Sequence, residues 1–179
     1  VTLNGFGNYH NYGIREVIPV KKDGKDKALA VGTANPFTGR PNGGCEVWLD
    51  GFDGESGWAA GTRYVAKGNW AMYTSYSNVE KTVTLFTGQT MDAGTVTFSA
   101  PDGNTRVTIT ITLKPGWFFN NVSDNVKIQD YAATPPSSNP SPGQFAWKGY
   151  AWKCSFSMEV PANNYYGVHV DLFRAGLIH

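Results

Sequence analysis

Charge is scarce in this chain. Lys and Arg number 15 and Asp and Glu 14, for a formal net charge of +1, and charged residues make up 16% of the sequence where about 25% is usual. Neutralising nucleic-acid phosphate or anionic lipid takes a basic excess on one face, which a chain this balanced does not supply. Long apolar runs are also missing. The longest, such as Ala28-Leu29-Ala30-Val31, fall far short of the ~18 residues that cross a bilayer, so membrane insertion is not expected. Helical patterning is absent too: no long window holds an i, i+3, i+4, i+7 apolar stripe among good helix formers.

The raw materials of catalysis are thin. His10, His169 and His179 are the only histidines. No Gly-x-Ser-x-Gly elbow and no His-Glu-x-x-His pair occurs, so neither a nucleophilic hydrolase nor a zincin is indicated. Glu80, Asp92, Glu159 and Asp171 would supply carboxylate pairs, but any β domain offers such pairs by chance. His169 alternates with Val168 and Val170 and so projects away from them, as a surface or edge histidine. The expectation is a protein that is not an enzyme and needs no cofactor. Asp50-Gly51-Phe52-Asp53-Gly54-Glu55 gathers carboxylates in a turn that Ca²⁺ would accept, yet the spacing departs from the EF-hand loop and reads as an ordinary acidic turn. Two distant cysteines give zinc no closely spaced ligand pair, and no metal site is assigned.

What is present is alternation. In Arg106-Val107-Thr108-Ile109-Thr110-Ile111-Thr112-Leu113 the apolar residues share one face and the threonines the other, the mark of a half-buried strand. The same period runs through Lys81–Leu85, Thr95–Phe98, Phe156–Val160 and Tyr166–Leu172. Further strands are expected at Ile14–Val20, Leu29–Gly32, Thr62–Ala66, Trp70–Tyr76, Trp117–Val122 and Asn125–Asp130. One wet and one dry face imply antiparallel pairing. Asp-Gly, Asn-Gly and Pro-Gly dipeptides separate these runs and suit tight turns. Roughly ten to twelve short strands with frequent turns predict an all-β fold, an antiparallel two-sheet β-sandwich of jelly-roll type with an extended N-terminal segment.

Three stretches give that fold its organisation. Residues 1–20 open with Val1, Leu3, Phe6, Tyr9, Tyr12 and Ile14 spaced among Gly5, Gly7 and Gly13, an extended apolar ribbon whose backbone groups must pair with something. Two mates are open to it: its own sheet, or the sheet of a neighbouring copy. Residues 21–27 are densely charged and read as a hinge, or equally as a hairpin tip, ahead of a sandwich domain over 28–179. Thr134–Gly143 carries four prolines in ten positions and is expected as an extended surface loop.

Cys45 and Cys154 each begin a strand-like run. Bridged, they would close a loop of roughly a hundred residues and stabilise by about 4 to 5 kcal/mol on a chain-entropy model; unbridged, they are two small hydrophobes. Asn121-Val122-Ser123 is a glycosylation sequon. The opening Val1-Thr2-Leu3, without Met or a basic-then-apolar leader, reads as a mature product after removal of a targeting segment.

In order, Val79–Gln89, Ala93-Gly94-Thr95-Val96, Gly116-Trp117, Asn139–Phe145 and Gly167-Val168-His169-Val170-Asp171 resemble a block found in secreted bacterial surface proteins, over about residues 79 to 173. More loosely, the whole chain resembles the jelly-roll subunits of extracellular fibrils that lend a terminal strand to the next subunit. The resemblance implies export, to the cell surface or beyond, and self-assembly. It names no catalytic residue.

Two functions follow as expectations. The first is a structural subunit of an extracellular filament, polymerising with copies of itself head-to-tail by donating the N-terminal strand, with Val1, Leu3, Phe6, Tyr9, Tyr12 and Ile14 as anchors. The second is a carbohydrate-binding module. Trp147, Tyr150 and Trp152, with Phe145 placed on the same strand face as Trp147, lie close together among Lys148 and Lys153, and aromatic rings beside hydrogen-bonding groups stack on sugar rings.

Overall fold

The computed structural model describes residues 13–22, 25–34, 47–51, 54–103 and 105–178. The described chain is all-β and antiparallel. Its strands are β1 (Gly13–Lys22), β2 (Lys25–Ala34), β3 (Val47–Gly51), β4 (Glu55–Ala59), β5 (Thr62–Arg63), β6 (Met72–Ser75) and β7 (Lys81–Thr87). They continue with β8 (Met91–Phe98), β9 (Arg106–Leu113), β10 (Trp117–Phe119), β11 (Val126–Tyr131), β12 (Trp147–Gly149), β13 (Ser155–Pro161) and β14 (Tyr165–Ile178), with a 3₁₀ turn at Pro142–Gln144 between β11 and β12. Contacts divide the chain into two compact units, one of residues up to Gly54 with 115–117 and 173 onward, the other Glu55–Lys114 and Phe118–Leu172.

In the larger unit, hydrogen-bonded neighbours run β12-β11-β14-β4-β7-β8-β9-β13, with β6 joining the start of β14 and β5. The alternation in β9 is realised as expected: Val107, Ile109 and Ile111 are fully buried, while the intervening threonines face outward. Leu85, Val96, Phe98, Val126, Ile128, Val160, Val168 and Leu172 complete the core. Phe98 of β8 meets Tyr166 of β14 at 5.4 Å between ring centroids. The buried Tyr166 hydroxyl donates to the Pro161 carbonyl at 2.8 Å and accepts from the Asn163 N–H at 2.7 Å, so a polar tip costs the core little. Opposite the core, β7, β8, β9 and β13 line up hydroxyls across their registers, with Thr82 to Thr97 and Thr110 to Ser157 each at 2.9 Å. Gly94 sits beside a register shift at φ 152°, where a Cβ would lie 2.1 Å from the Thr112 carbonyl oxygen. Only glycine fits there.

In the smaller unit the order is β1-β2-β3, with β3 paired to the last residues of β14. Within the charged run, Lys21 stands opposite Asp26 and Lys22 opposite Lys25.

Candidate functional site

The most developed site lies in the larger unit, on the outward face of its sheet. Three adjacent strands place side chains there in register. Trp58 of β4 stands opposite His169 of β14, which stands opposite Lys127 of β11, and Ser56 stands opposite Asp171. Each alternates with core-facing residues, Val168, Val170 and Leu172 on β14 and Val126 and Ile128 on β11. The strand period therefore assigns these residues to the wet side.

Part of that side is not wet. Tyr64, Ala71 and Phe145 come over it and cluster with Trp58, backed by Trp70, Met72, Tyr73 and Tyr131. Trp58 meets Phe145 edge-on at 6.1 Å and the His169 ring at 4.9 Å. Gly167 allows this second layer to approach, because a Cβ there would lie 2.3 Å from the Tyr64 hydroxyl and against the Phe145 ring. The Tyr64 hydroxyl donates to that of Tyr131 at 3.1 Å, and burial pushes the Tyr64 phenol far up.

Beside this cluster opens a cup of about 440 Å³. Ser56, Trp58, Lys127 and His169 form its floor; Asn69 and Trp70 make one wall, and Pro140, Pro142 and Gly143 another. The proline-rich stretch is thus a structural wall, fixed by the Phe145 N–H donating to the Pro142 carbonyl at 3.0 Å and by Lys148 Nζ donating to the Gly143 carbonyl at 2.7 Å. Charges in the floor are matched. The Lys127 ammonium forms an ion pair with Asp171 Oδ2, and Asp171 Oδ1 is 3.8 Å from His169 Nε2. Burial pushes the His169 imidazole down to about 4, against the opposing pull of the Asp171 carboxylate and with help from the Lys127 ammonium. The ring is therefore neutral at physiological pH, and its buried Nδ1 has no hydrogen-bond partner among the described residues. His169 does project away from Val168 and Val170, but it is a covered residue and not a surface or edge one, because the second layer lies over it.

No family model, no curated protein and no solved structure matches this chain.

The aromatic group expected around residues 145–152 is dispersed. Phe145 caps the 3₁₀ turn and is buried in the second layer. Trp147 is half-buried in β12, its Nε1–H donating to Asp130 Oδ1 at 2.6 Å. Tyr150 and Trp152 are 51% and 70% exposed. Lys153 Nζ lies 4.8 Å from the centre of the Trp152 ring, and the Tyr150 hydroxyl donates to Asn121 Oδ1 at 2.7 Å, which places the sequon asparagine on the surface.

Of the N-terminal anchors, Val1, Leu3, Phe6, Tyr9 and Tyr12 lie outside the described residues, and Ile14 stands in β1 opposite Thr33. Cys154 is exposed, with Cys45 outside the described residues. Three of the four carboxylates considered for glycoside chemistry are in ion pairs: Asp92 with Lys114, Glu159 with Arg106, and Asp171 with Lys127. Sequence reasoning missed Trp58, Trp70 and Lys127. The available signals were a glycine inside a strand of otherwise large side chains, at Gly167, and the density of rings between Trp58 and Tyr76.

Proposed function

We propose that the protein is a secreted structural subunit that assembles with copies of itself through its N-terminal strand. The observation that carries this reading is the state of β1. It is the terminal strand of its sheet, and its outer edge has no partner among the described strands. Glu16, Val17, Ile18 and Pro19 are all exposed although successive side chains point to opposite faces, with Val17 at 48% and Ile18 at 49%. A ribbon bare on both faces gains little from its own fold. An open edge carrying apolar side chains accepts another strand, with main-chain hydrogen bonds giving affinity. If the mate is a different surface of the next copy, the contact does not close on itself and a filament grows.

The test compares the intact chain with the double variant Val17→Lys, Ile18→Lys by sedimentation velocity and negative-stain microscopy. Filaments are expected from the intact chain, with the variant requiring at least a tenfold higher concentration. An intact chain that remains monomeric at high concentration removes the reading.

Binding of carbohydrate is a second reading, favoured by the display of Trp152 and Tyr150 as large exposed rings next to Lys153.

A further inference from the structure

We infer that the cup formed by Trp58, Trp70, Lys127 and His169 is a binding site for a pyranose ring of an uncharged glycan. The inference rests on the carbohydrate reading for its ligand class and gives that reading a different location. It is independent of assembly through β1.

Size comes first. About 440 Å³ falls within the range of roughly 300–1,000 Å³ typical of small-ligand sites. Chemistry then narrows the occupant. The half-buried Trp70 stands in the wall, and an indole face suits the C–H face of a sugar ring, while the buried Trp58 closes the floor beneath it. Around them stand Ser56, Asn69 and Lys127, which supply hydroxyl, amide and ammonium groups. Ser56 and Asn69 are exposed and so reach a ligand without rearrangement of the core.

Electrostatics argues against a charged ligand. The Lys127 ammonium is already neutralised by Asp171, and the imidazole carries no charge at physiological pH. An anionic ligand would have to compete with Asp171 for Lys127, and a cation would meet no free carboxylate among the lining residues. An occupant rich in hydroxyls with one apolar face fits without disturbing any pair.

The site also has a built frame. Its floor is three hydrogen-bonded strands and its far wall is a proline-stiffened turn tied to Lys148, so little ordering is needed on binding.

Isothermal titration of the intact chain with uncharged hexasaccharides of glucose, xylose and N-acetylglucosamine, and with anionic hexagalacturonate, tests the inference. At least one uncharged hexasaccharide is expected to bind. Trp70→Ala should weaken it about tenfold or more, the scale of one lost ring-stacking contact, and Asn69→Ala severalfold. Trp152→Ala should leave it within about twofold. If Trp70→Ala fails to fold by circular dichroism, the exposed positions decide through Asn69→Ala and Ser56→Ala. A preference for hexagalacturonate overturns the inference, as does binding unaffected by the cup variants. Loss confined to Trp152→Ala would keep carbohydrate binding and refute the cup as its place. No binding of any hexasaccharide would remove both.

Discussion

His169 concentrates the energetic tension of the larger unit in one side chain. Its ring is buried against Trp58 and held neutral, with Asp171 and Lys127 as the charged groups facing it. Folding thus lowers its proton affinity from the ordinary value of 6.5 to about 4. Between these values the unfolded chain binds a proton that the folded chain refuses, so protonation favours unfolding. Stability contributed by this group is fully present above about pH 6.5 and falls as pH drops toward about 4, by on the order of 2 to 3 kcal/mol. Urea unfolding between pH 7 and pH 4 should show the decline, and His169→Gln should flatten it. An unchanged slope in that variant would assign the decline to other groups. The sequence revealed the direction in which His169 points, since alternation with two valines fixes it, but not its burial. Burial depends on Tyr64, Ala71 and Phe145 crossing over from distant parts of the chain, and no local pattern encodes that.

Among elements, legibility follows how local the cause is. β9 is readable because its own sequence separates apolar from hydroxyl residues, and the structure buries the first set and turns the second outward, half-buried to exposed. The ends of Trp70–Tyr76 and Thr62–Ala66 were less so: strands survive there only as Met72–Ser75 and Thr62–Arg63, the flanking rings being used to build the second layer. The four prolines of Thr134–Gly143 keep that loop out of any ladder, as its sequence predicts, yet its role as a wall comes from tertiary contacts alone. At the β8–β9 pairing, Gly94 makes a sharp claim. Gly94→Ala must place a methyl group on the Thr112 carbonyl and hold alanine at a φ it avoids, so destabilisation well above 1 kcal/mol is expected from chemical denaturation. A near-neutral result would mean that the bulge can relax.

At the scale of the molecule, the two compact units differ in what holds them. The larger one has a continuous apolar centre of fully buried side chains on several strands. In the smaller one, the outer edge of β1 has no partner among the described strands, and its side chains are exposed over Glu16–Pro19. Amide exchange should therefore be fastest in β1 and β2 and slowest in β8, β9 and the Tyr166–Leu172 part of β14, read by mass spectrometry on the unassembled chain. Equal protection throughout would mean that β1 is covered within a single copy. Assembly should slow exchange in β1 selectively.

The rows of Thr and Ser along β7, β8, β9 and β13 give that side of the larger unit a coat of neutral alcohols. Water there binds to groups that do not titrate and that salt screens only weakly. Wetting of these hydroxyl rows therefore stays constant while acidity or ionic strength changes, and the response of that side to either is left to Arg106 and Glu159, which share its face.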